Sequence, residues 1–300
     1  MTEKKRCGFV ALLGVPNAGK STLLNCLVGL KISIVTHKAQ TTRSRIRGIV
    51  TDGAVQIIFV DTPGVFGTPG RRLERAMIAT AWDEVGSADL SILIVDASRA
   101  VNKETYAIVE RLKCIKKPAL LALNKIDLVK RESLLALAGG LDVTGAFSDI
   151  FMISARTGDG VDDLRTYLSR KLPVGPWLYP ENQVTDVPLR HMAAERTREK
   201  AFLHLHQELP YALTVETDEW HDLADGSAKI TQTLYVERNT QKAIVLGKDG
   251  ANIKTIRMAA QRELAVSLGR SVHLFIHVKV RKGWVEDRDR YRDLGLSFMS

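Results

Sequence analysis

The octapeptide Gly14-Val15-Pro16-Asn17-Ala18-Gly19-Lys20-Ser21 constrains this chain more than any other stretch. An apolar run, Phe9 to Leu13, precedes it, and a helical stretch from Thr22 to Val28 follows. The peptide fits G-x-x-x-x-G-K-[ST], and strand, loop and helix in that order are the setting such a loop needs. Its glycines let the backbone turn tightly enough to aim N–H groups inward. The helix that follows adds a partial positive charge at its N-terminus, so the loop favours a polyphosphate. Lys20 then reaches the β- and γ-phosphates, the Ser21 hydroxyl ligates Mg²⁺, and Thr22 completes the cradle.

A length of 300 residues suggests two domains. The formal net charge of +9 points to a polyanionic partner without naming one. Cys7, Cys26 and Cys114 lie far apart with no C-x-x-C, which argues against a disulfide framework or a zinc site. Lys4-Lys5-Arg6 ahead of an apolar run imitates a signal peptide, yet cleavage there would destroy the phosphate loop. The run therefore reads as a buried first strand. No stretch approaches the roughly 18 apolar residues of a membrane-spanning helix. A cytoplasmic protein, at most peripheral on the inner face of the cell membrane, is expected.

Along the chain, residues 45–52 read as a strand, Asp52-Gly53 as a hairpin turn, and Val55 to Val60 as the return strand. Leu90 to Val95, Ala119 to Leu123 and Ile150 to Ile153 are near-continuous apolar runs, as parallel strands covered on both faces should be. Helices fill the gaps at Arg71 to Val85, Lys103 to Lys113, Arg131 to Ala138 and Val161 to Lys171. The alternation gives a doubly wound α/β domain with a mixed sheet over residues 1–173. Pro173, Gly175, Pro176, Pro180 and Pro188 crowd the next stretch, so residues 174–189 read as a proline-rich linker. Residues 190–300 form a smaller α+β unit. It holds a helix (His191 to Gln207), strands (Tyr211 to Glu219, Ala228 to Glu237), a short apolar stretch (Gln241 to Leu246), a helix (Ala251 to Leu268) and a last strand (Ser271 to Val280).

Three further motifs fall at strand carboxyl ends, where doubly wound sheets bind ligands. Asp61-Thr62-Pro63-Gly64 could be a simple turn. Paired with the phosphate loop, it offers Asp61 for Mg²⁺, usually through water, and the Gly64 N–H for the γ-phosphate. Asn124-Lys125-Ile126-Asp127 is weak as a bare tetrapeptide, but its position makes it a base-reading loop. Asp127 can accept both hydrogen bonds from the N1–H and N2–H₂ edge of guanine, a donor pair adenine lacks. Asn124 would tie this loop to the phosphate loop, and the Lys125 stem would cover the base. Ser154-Ala155 closes the next strand, where a backbone N–H can meet guanine O6. Between the first helix and the hairpin, Thr42, chosen over Thr41, could complete the Mg²⁺ shell and sense the γ-phosphate.

The motifs GVPNAGKS, QTTRS, DTPG, NKID and ISA occur in the order of a translation-factor-class small GTPase. More closely, KISIVTHKAQTTRSRIRGI and QELPYALTVE resemble the Era family of ribosome-associated GTPases, and the likeness runs through both domains and the linker. Val65 follows Gly64 where many regulatory GTPases carry a water-positioning Gln, and a valine cannot orient water by hydrogen bonding. Hydrolysis, carried by Lys20, Thr42 and Gly64, should be slow alone and depend on another group.

In the second domain, Gly247-Lys248-Asp249-Gly250 matches the G-x-x-G loop of a KH module, which passes close to about four nucleotides of single-stranded RNA. The order helix–strand–strand–helix–helix–strand is that of KH type 2. A lone G-x-x-G could equally be a turn, and the charge decides. From Arg238 to Lys282 there are ten Lys/Arg against two acids, Asp249 and Glu263. Ile253, Lys254 and Arg257 on the following helix join the loop as RNA-binding candidates, with Ile256 a possible groove residue. Ile244 could line that groove too, with the core as its preferred place. His191, His204 and His206 read as surface residues rather than metal ligands.

Resemblance to the Era family implies a P-loop GTPase fold, GTP as substrate and Mg²⁺ as cofactor. It further implies a monomer binding the 3′ end region of 16S ribosomal RNA and the 30S subunit in small-subunit biogenesis. Two rivals are an RNA-binding scaffold with little GTPase activity and a peripheral membrane GTPase.

Overall fold

The computed structural model describes residues 4–36, 45–64, 72–115, 117, 119–205 and 209–283. Gln40 to Arg43, with Thr42, and Val65 lie outside the described residues, as do Arg71 and His206. The chain divides into two compact units between Asp186 and Val187.

The first unit is a six-stranded sheet with helices on both faces. In chain order the elements are β1 (Arg6–Leu13), α1 (Lys20–Val28), β2 (Ile46–Asp52), β3 (Val55–Asp61), α2 (Arg72–Ser87), β4 (Leu90–Asp96), α3 (Lys103–Ile115), β5 (Ala119–Asn124), α4 (Arg131–Asp142), β6 (Phe147–Ile153) and α5 (Val161–Lys171). The spatial order is β2-β3-β1-β4-β5-β6. Only β2 is antiparallel, paired with β3 from Ile46↔Asp61 to Asp52↔Val55. Every residue of β4 and β5 is buried, which is why both read as unbroken apolar runs. One core layer joins Leu13, Leu93, Val95, Leu121 and Leu123 of the sheet to Trp82, Val85, Ile108 and Leu112 of α2 and α3.

Two boundaries differ from the sequence expectation. α4 runs on through Gly139-Gly140 to Asp142 instead of stopping at Ala138, because Leu141 is buried in the same core. β6 starts at Phe147, three residues early, because Ala119 pairs with Phe147 before a register shift. As the last strand of the sheet it is half-covered there, so its first residues lack an apolar signature.

The proline-rich stretch is fixed to the first unit as far as Asp186. The Cys7 N–H donates to Pro173 O and the Gly175 N–H to Lys5 O. Gln56 of β3, fully buried, then acts like a strand neighbour. Its Oε1 accepts the N–H groups of Leu178 and Tyr179 (2.9 and 3.0 Å), and its Nε2 donates to Tyr179 O (2.8 Å). Further on, the Ile49 N–H donates to Val184 O, Thr185 Oγ1 donates to Arg47 O, and the Arg47 guanidinium meets Tyr179 and Asp186. The segment thus passes the starts of β1 and β3 and runs along the outer edge of β2. We expect Gln56→Leu to leave three part-buried backbone groups without their partner and lower the unit's stability by about 2 kcal/mol. Denaturant unfolding followed by tryptophan fluorescence measures this, and a loss under 1 kcal/mol would contradict the assignment.

The second unit comprises α6 (Leu189–His204), β7 (Leu213–Asp222), β8 (Ala228–Val236), α7 (Asn239–Leu246), α8 (Ala251–Leu268) and β9 (Val272–Val280). Its sheet has the order β7-β8-β9, with β7 antiparallel and β9 parallel to β8. Phe202, Leu213, Leu234, Val236, Val245 and Ile256 form its core. The apolar stretch from Gln241 is part of helix α7, started by the Gln241 side chain, whose Oε1 accepts the N–H groups of Glu237 and Arg238. A 3₁₀ turn at Leu209–Ala212 precedes β7, so that strand starts at Leu213 rather than Tyr211. Among the described residues, no helix is long and apolar enough to cross a membrane.

Candidate nucleotide site and G-x-x-G loop

Strands β1, β3, β5 and β6 deliver their motifs to one end of the first sheet. The loop from Gly14 leaves β1 and closes on α1. Gly14 adopts φ +149°, and a Cβ there would sit 2.5 Å from the Ile94 carbonyl oxygen. Gly19 adopts φ +103°, and its Cβ would come 2.1 Å from Asn124 Nδ2. Glycine is required at both positions by backbone angle and by space.

Lys20 is buried, its Nζ donating to the carbonyls of Gly14 (2.9 Å) and Val15 (3.1 Å). Desolvation lowers its pKa to about 8, against the raising influence of Asp61. Ser21 Oγ donates to Asp61 Oδ2 (2.7 Å) across 40 residues of sequence. Asp61 is fully buried at the end of β3. A buried carboxylate bonded to a helix-N-terminal hydroxyl is a hard, all-oxygen donor pair, which suits Mg²⁺ completed by water and phosphate oxygens. Thr62 turns away from the cleft, its hydroxyl donating to Leu12 O (2.7 Å), so it anchors the turn. Pro63 is buried beside it, and a Cβ on Gly64 would touch Pro16 at 3.1 Å.

Asn124 joins three loops. Its Nδ2 donates to Ala18 O (2.8 Å), and its Oδ1 accepts the N–H groups of Lys125 (2.8 Å) and Ala155 (2.9 Å). The carboxylate of Asp127 is held at both oxygens, by Ser154 Oγ (2.7 Å) and by Arg156 (2.7 Å). The Ser154 hydrogen bond leads in holding this carboxyl below its usual value, with Arg156 adding to it. Each carboxylate oxygen keeps capacity for a further donor.

These residues line one cleft of about 440 Å³, which includes Pro16, Asn17, Gly19, Lys20, Ser21, Thr22, Gly64, Asn124, Lys125, Asp127 and Ala155. Ile34, Val35, Thr36, Arg99, Leu128 and Arg156 also line it, and no motif announced them. Asp96 was missed as well. Its carboxylate receives Lys125 Nζ (2.6 Å) and Ser98. Burial opposes its ionisation, but the hydrogen bonds from Lys125 and Ser98 outweigh that and keep its pKa low. Sequence offers only its place at the end of β4, one strand before the base-reading motif.

In the second unit, Gly247 to Gly250 connects α7 to α8. Asn252 holds the loop, its Nδ2 donating to Ile244 O (2.8 Å), and a Cβ on Gly247 would meet Asn252 at 2.7 Å. Lys248, Asp249 and Lys254 are exposed, and Arg257 is half-buried. Arg257 donates to Gln261 (2.9 Å) in a basic groove between α8 and β9 that also holds Lys254, Arg262 and His273. Glu263 turns away from this groove, ion-paired to Arg196 and Lys200 of α6. Ile244, assigned to the core from sequence, is instead 54 % exposed, while Ile256 is core and Ile253 packs at its margin. Helical spacing alone did not tell which side of α7 faces the sheet. Among the described residues, Asn17, Lys125 and Asp249 are the non-glycine residues with left-handed backbone, one in each of the three candidate ligand loops.

The fold and the cleft define a phosphate-loop GTPase joined to a KH-type unit. Residues 9–125 match the family described as 50S ribosome-binding GTPase, and residues 208–285 match the KH domain family. The chain is 55 % identical to GTPase Era of Afipia carboxidovorans over 293 residues, covering 98 % of this chain and 95 % of that protein. It is also similar to a crystal structure of an Aquifex aeolicus Era variant bound to GDP and AlF4⁻, with a TM-score of 0.91 and 35 % identity over 97 % of this chain and 99 % of that one. A structure of Era with MgGDPNP and nucleotides 1506–1542 of 16S ribosomal RNA matches equally well, with a TM-score of 0.91 and 34 % identity over 97 % of this chain and 99 % of that chain. The chain belongs to the Era family of GTPases.

Proposed function

We propose that this protein hydrolyses GTP as a switch, binds the 3′ end region of 16S ribosomal RNA through its second unit, and assists 30S subunit biogenesis. One observation carries the reading: the likeness to Era bound to MgGDPNP and 16S nucleotides 1506–1542 spans both units of the chain. The matching family's description mentions the 50S particle, but its match covers only residues 9–125 and leaves out the KH unit. The RNA-bound relative therefore favours the small subunit.

In this reading the loop Gly14 to Thr22 wraps the phosphates, and Lys20 neutralises charge building on the β–γ bridge and γ oxygens. Ser21 and Asp61, with Thr42, would hold Mg²⁺, which supplies further charge neutralisation at those oxygens. The Gly64 N–H approaches the γ-phosphate. Asp127 accepts from the guanine edge, Lys125 covers the base, and Ala155, its N–H held by Asn124, lines the base end of the cleft. Val65 supplies no hydrogen bond for the attacking water, so turnover by the isolated protein is slow and rises on the ribosomal particle. Gly247 to Gly250 with Ile253, Lys254 and Arg257 takes single-stranded RNA.

The protein acts as a cytoplasmic monomer in this reading, and contact with the membrane surface belongs to the alternative. Turnover measured with and without 30S subunits tests the switch, and an oligonucleotide of the 16S 3′ end tests the groove. We expect stimulation by the subunits. Changing both Lys248 and Lys254 to Glu should weaken RNA binding at least tenfold with GTP affinity unchanged. Fast turnover indifferent to 30S subunits would count against the switch, and lipid-dependent turnover would favour a membrane GTPase.

A further inference from the structure

Asp61 Oδ2 accepts a second hydroxyl besides Ser21. Ser33 Oγ donates to the same oxygen at 2.9 Å, and Ser33 is 1 % exposed. Its backbone is clamped in turn by Asn25. The Asn25 Oδ1 accepts the N–H groups of Ile32 and Ser33 (2.9 Å each), and its Nδ2 donates to Ser33 O (2.8 Å). Ser21 and Asn25 are four residues apart on α1 and so share one helix face. That face reaches the carboxylate twice, directly through Ser21 and indirectly through Asn25 and Ser33.

We propose that Ser33 is a positioning residue for Asp61, fixing the carboxylate in the orientation that receives a divalent cation. This rests on the reading of Ser21 and Asp61 as the Mg²⁺ site. A buried carboxylate held by one hydroxyl can still turn about its last bond, and a second donor on the same oxygen removes that freedom. When a cation arrives, the Ser21 oxygen must face it, whereas Ser33 keeps its bond to Asp61 unchanged. Groups that orient a metal ligand in this way typically contribute 10- to 100-fold in metal affinity.

The test uses the full chain loaded with the fluorescent nucleotide mant-GDP, with its release rate recorded against Mg²⁺ concentration. In Ser33→Ala the Mg²⁺ concentration giving half-maximal slowing should rise about tenfold. The release rate in excess EDTA should match the wild type. Ser33→Thr, which keeps the hydroxyl, should restore most of the shift, and Asn25→Ala should move it in the same direction as Ser33→Ala. A Ser33→Ala midpoint within twofold of the wild type would overturn the proposal. So would an equal acceleration of release with and without Mg²⁺, which would assign Ser33 to packing. If wild-type release ignores Mg²⁺ altogether, the metal-site reading fails first and this proposal with it.

Discussion

Asp127→Asn should convert a guanine site into a xanthine site. In the proposed site the wild-type carboxylate would accept from two donors on guanine, whereas the variant's amide would present an NH₂ to the guanine N2 amine, donor against donor. Xanthine carries an oxygen at that position and restores the pair. A site built to hydrogen-bond one partner discriminates by about 10⁴- to 10⁵-fold against a mismatched one, so the preference for GTP over XTP should fall by up to that order. The change also removes the ion pair to Arg156. That arginine side chain is 72 % exposed, so the pair adds under about 1 kcal/mol. Competition of XTP and GTP for the mant-labelled nucleotide decides the matter. Undiminished guanine selectivity in the variant would remove Asp127 from its assigned role.

Lys20→Met should separate stability from function. The ammonium is buried, with a pKa of about 8 against an ordinary 10.5. Below pH 8 the nucleotide-free protein therefore bears the cost of an enclosed charge, up to about 3 kcal/mol at 1.36 kcal/mol per unit. Between pH 8 and 10.5 the unfolded chain binds the extra proton, so wild-type stability rises with pH across that window. The nucleotide-free variant should accordingly melt above the wild type at pH 7, with the advantage fading towards pH 10.5. The carbonyls of Gly14 and Val15, left without their donor, reduce the gain. Turnover should fall about 10²- to 10³-fold, the loss expected for one preorganised donor to the transition state. A variant that melts lower at pH 7 and keeps its turnover would contradict both halves.

The parts of the site legible in sequence were those whose chemistry is local. The phosphate loop and the base-reading tetrapeptide carry their residue types within eight and four positions, and both stand after apolar strands. Ser33, Asp96 and Arg156 gave no such signal. Each is a single polar residue whose contact with a motif residue spans 28 or 29 positions of sequence. Gln56 is a single amide within an apolar strand, and only the fold shows it binding the backbone of Leu178 and Tyr179. Helix α6 is similar. Its run of charges carries no mark of burial, yet Arg196, Arg198 and Glu199 are buried, with Arg196 paired to Glu263 of α8 and Arg198 to Glu195 one turn earlier. Charge pattern records polarity but not pairing, and pairing is what admits such residues to an interior.

The proline-rich segment has a consequence for solubility. In an open sheet the edge strand β2 would present unsatisfied N–H and C=O groups, a template for pairing with another molecule. Here Val184 and Thr185 occupy that edge, through the Ile49 N–H and a bridge to Gly48. Prolines close by at 180 and 188 cannot donate from their own backbone nitrogens, so the added edge is itself a poor place for a further strand to extend. The stretch that leads from the first unit to the second thereby also closes the β2 edge to pairing with a further strand.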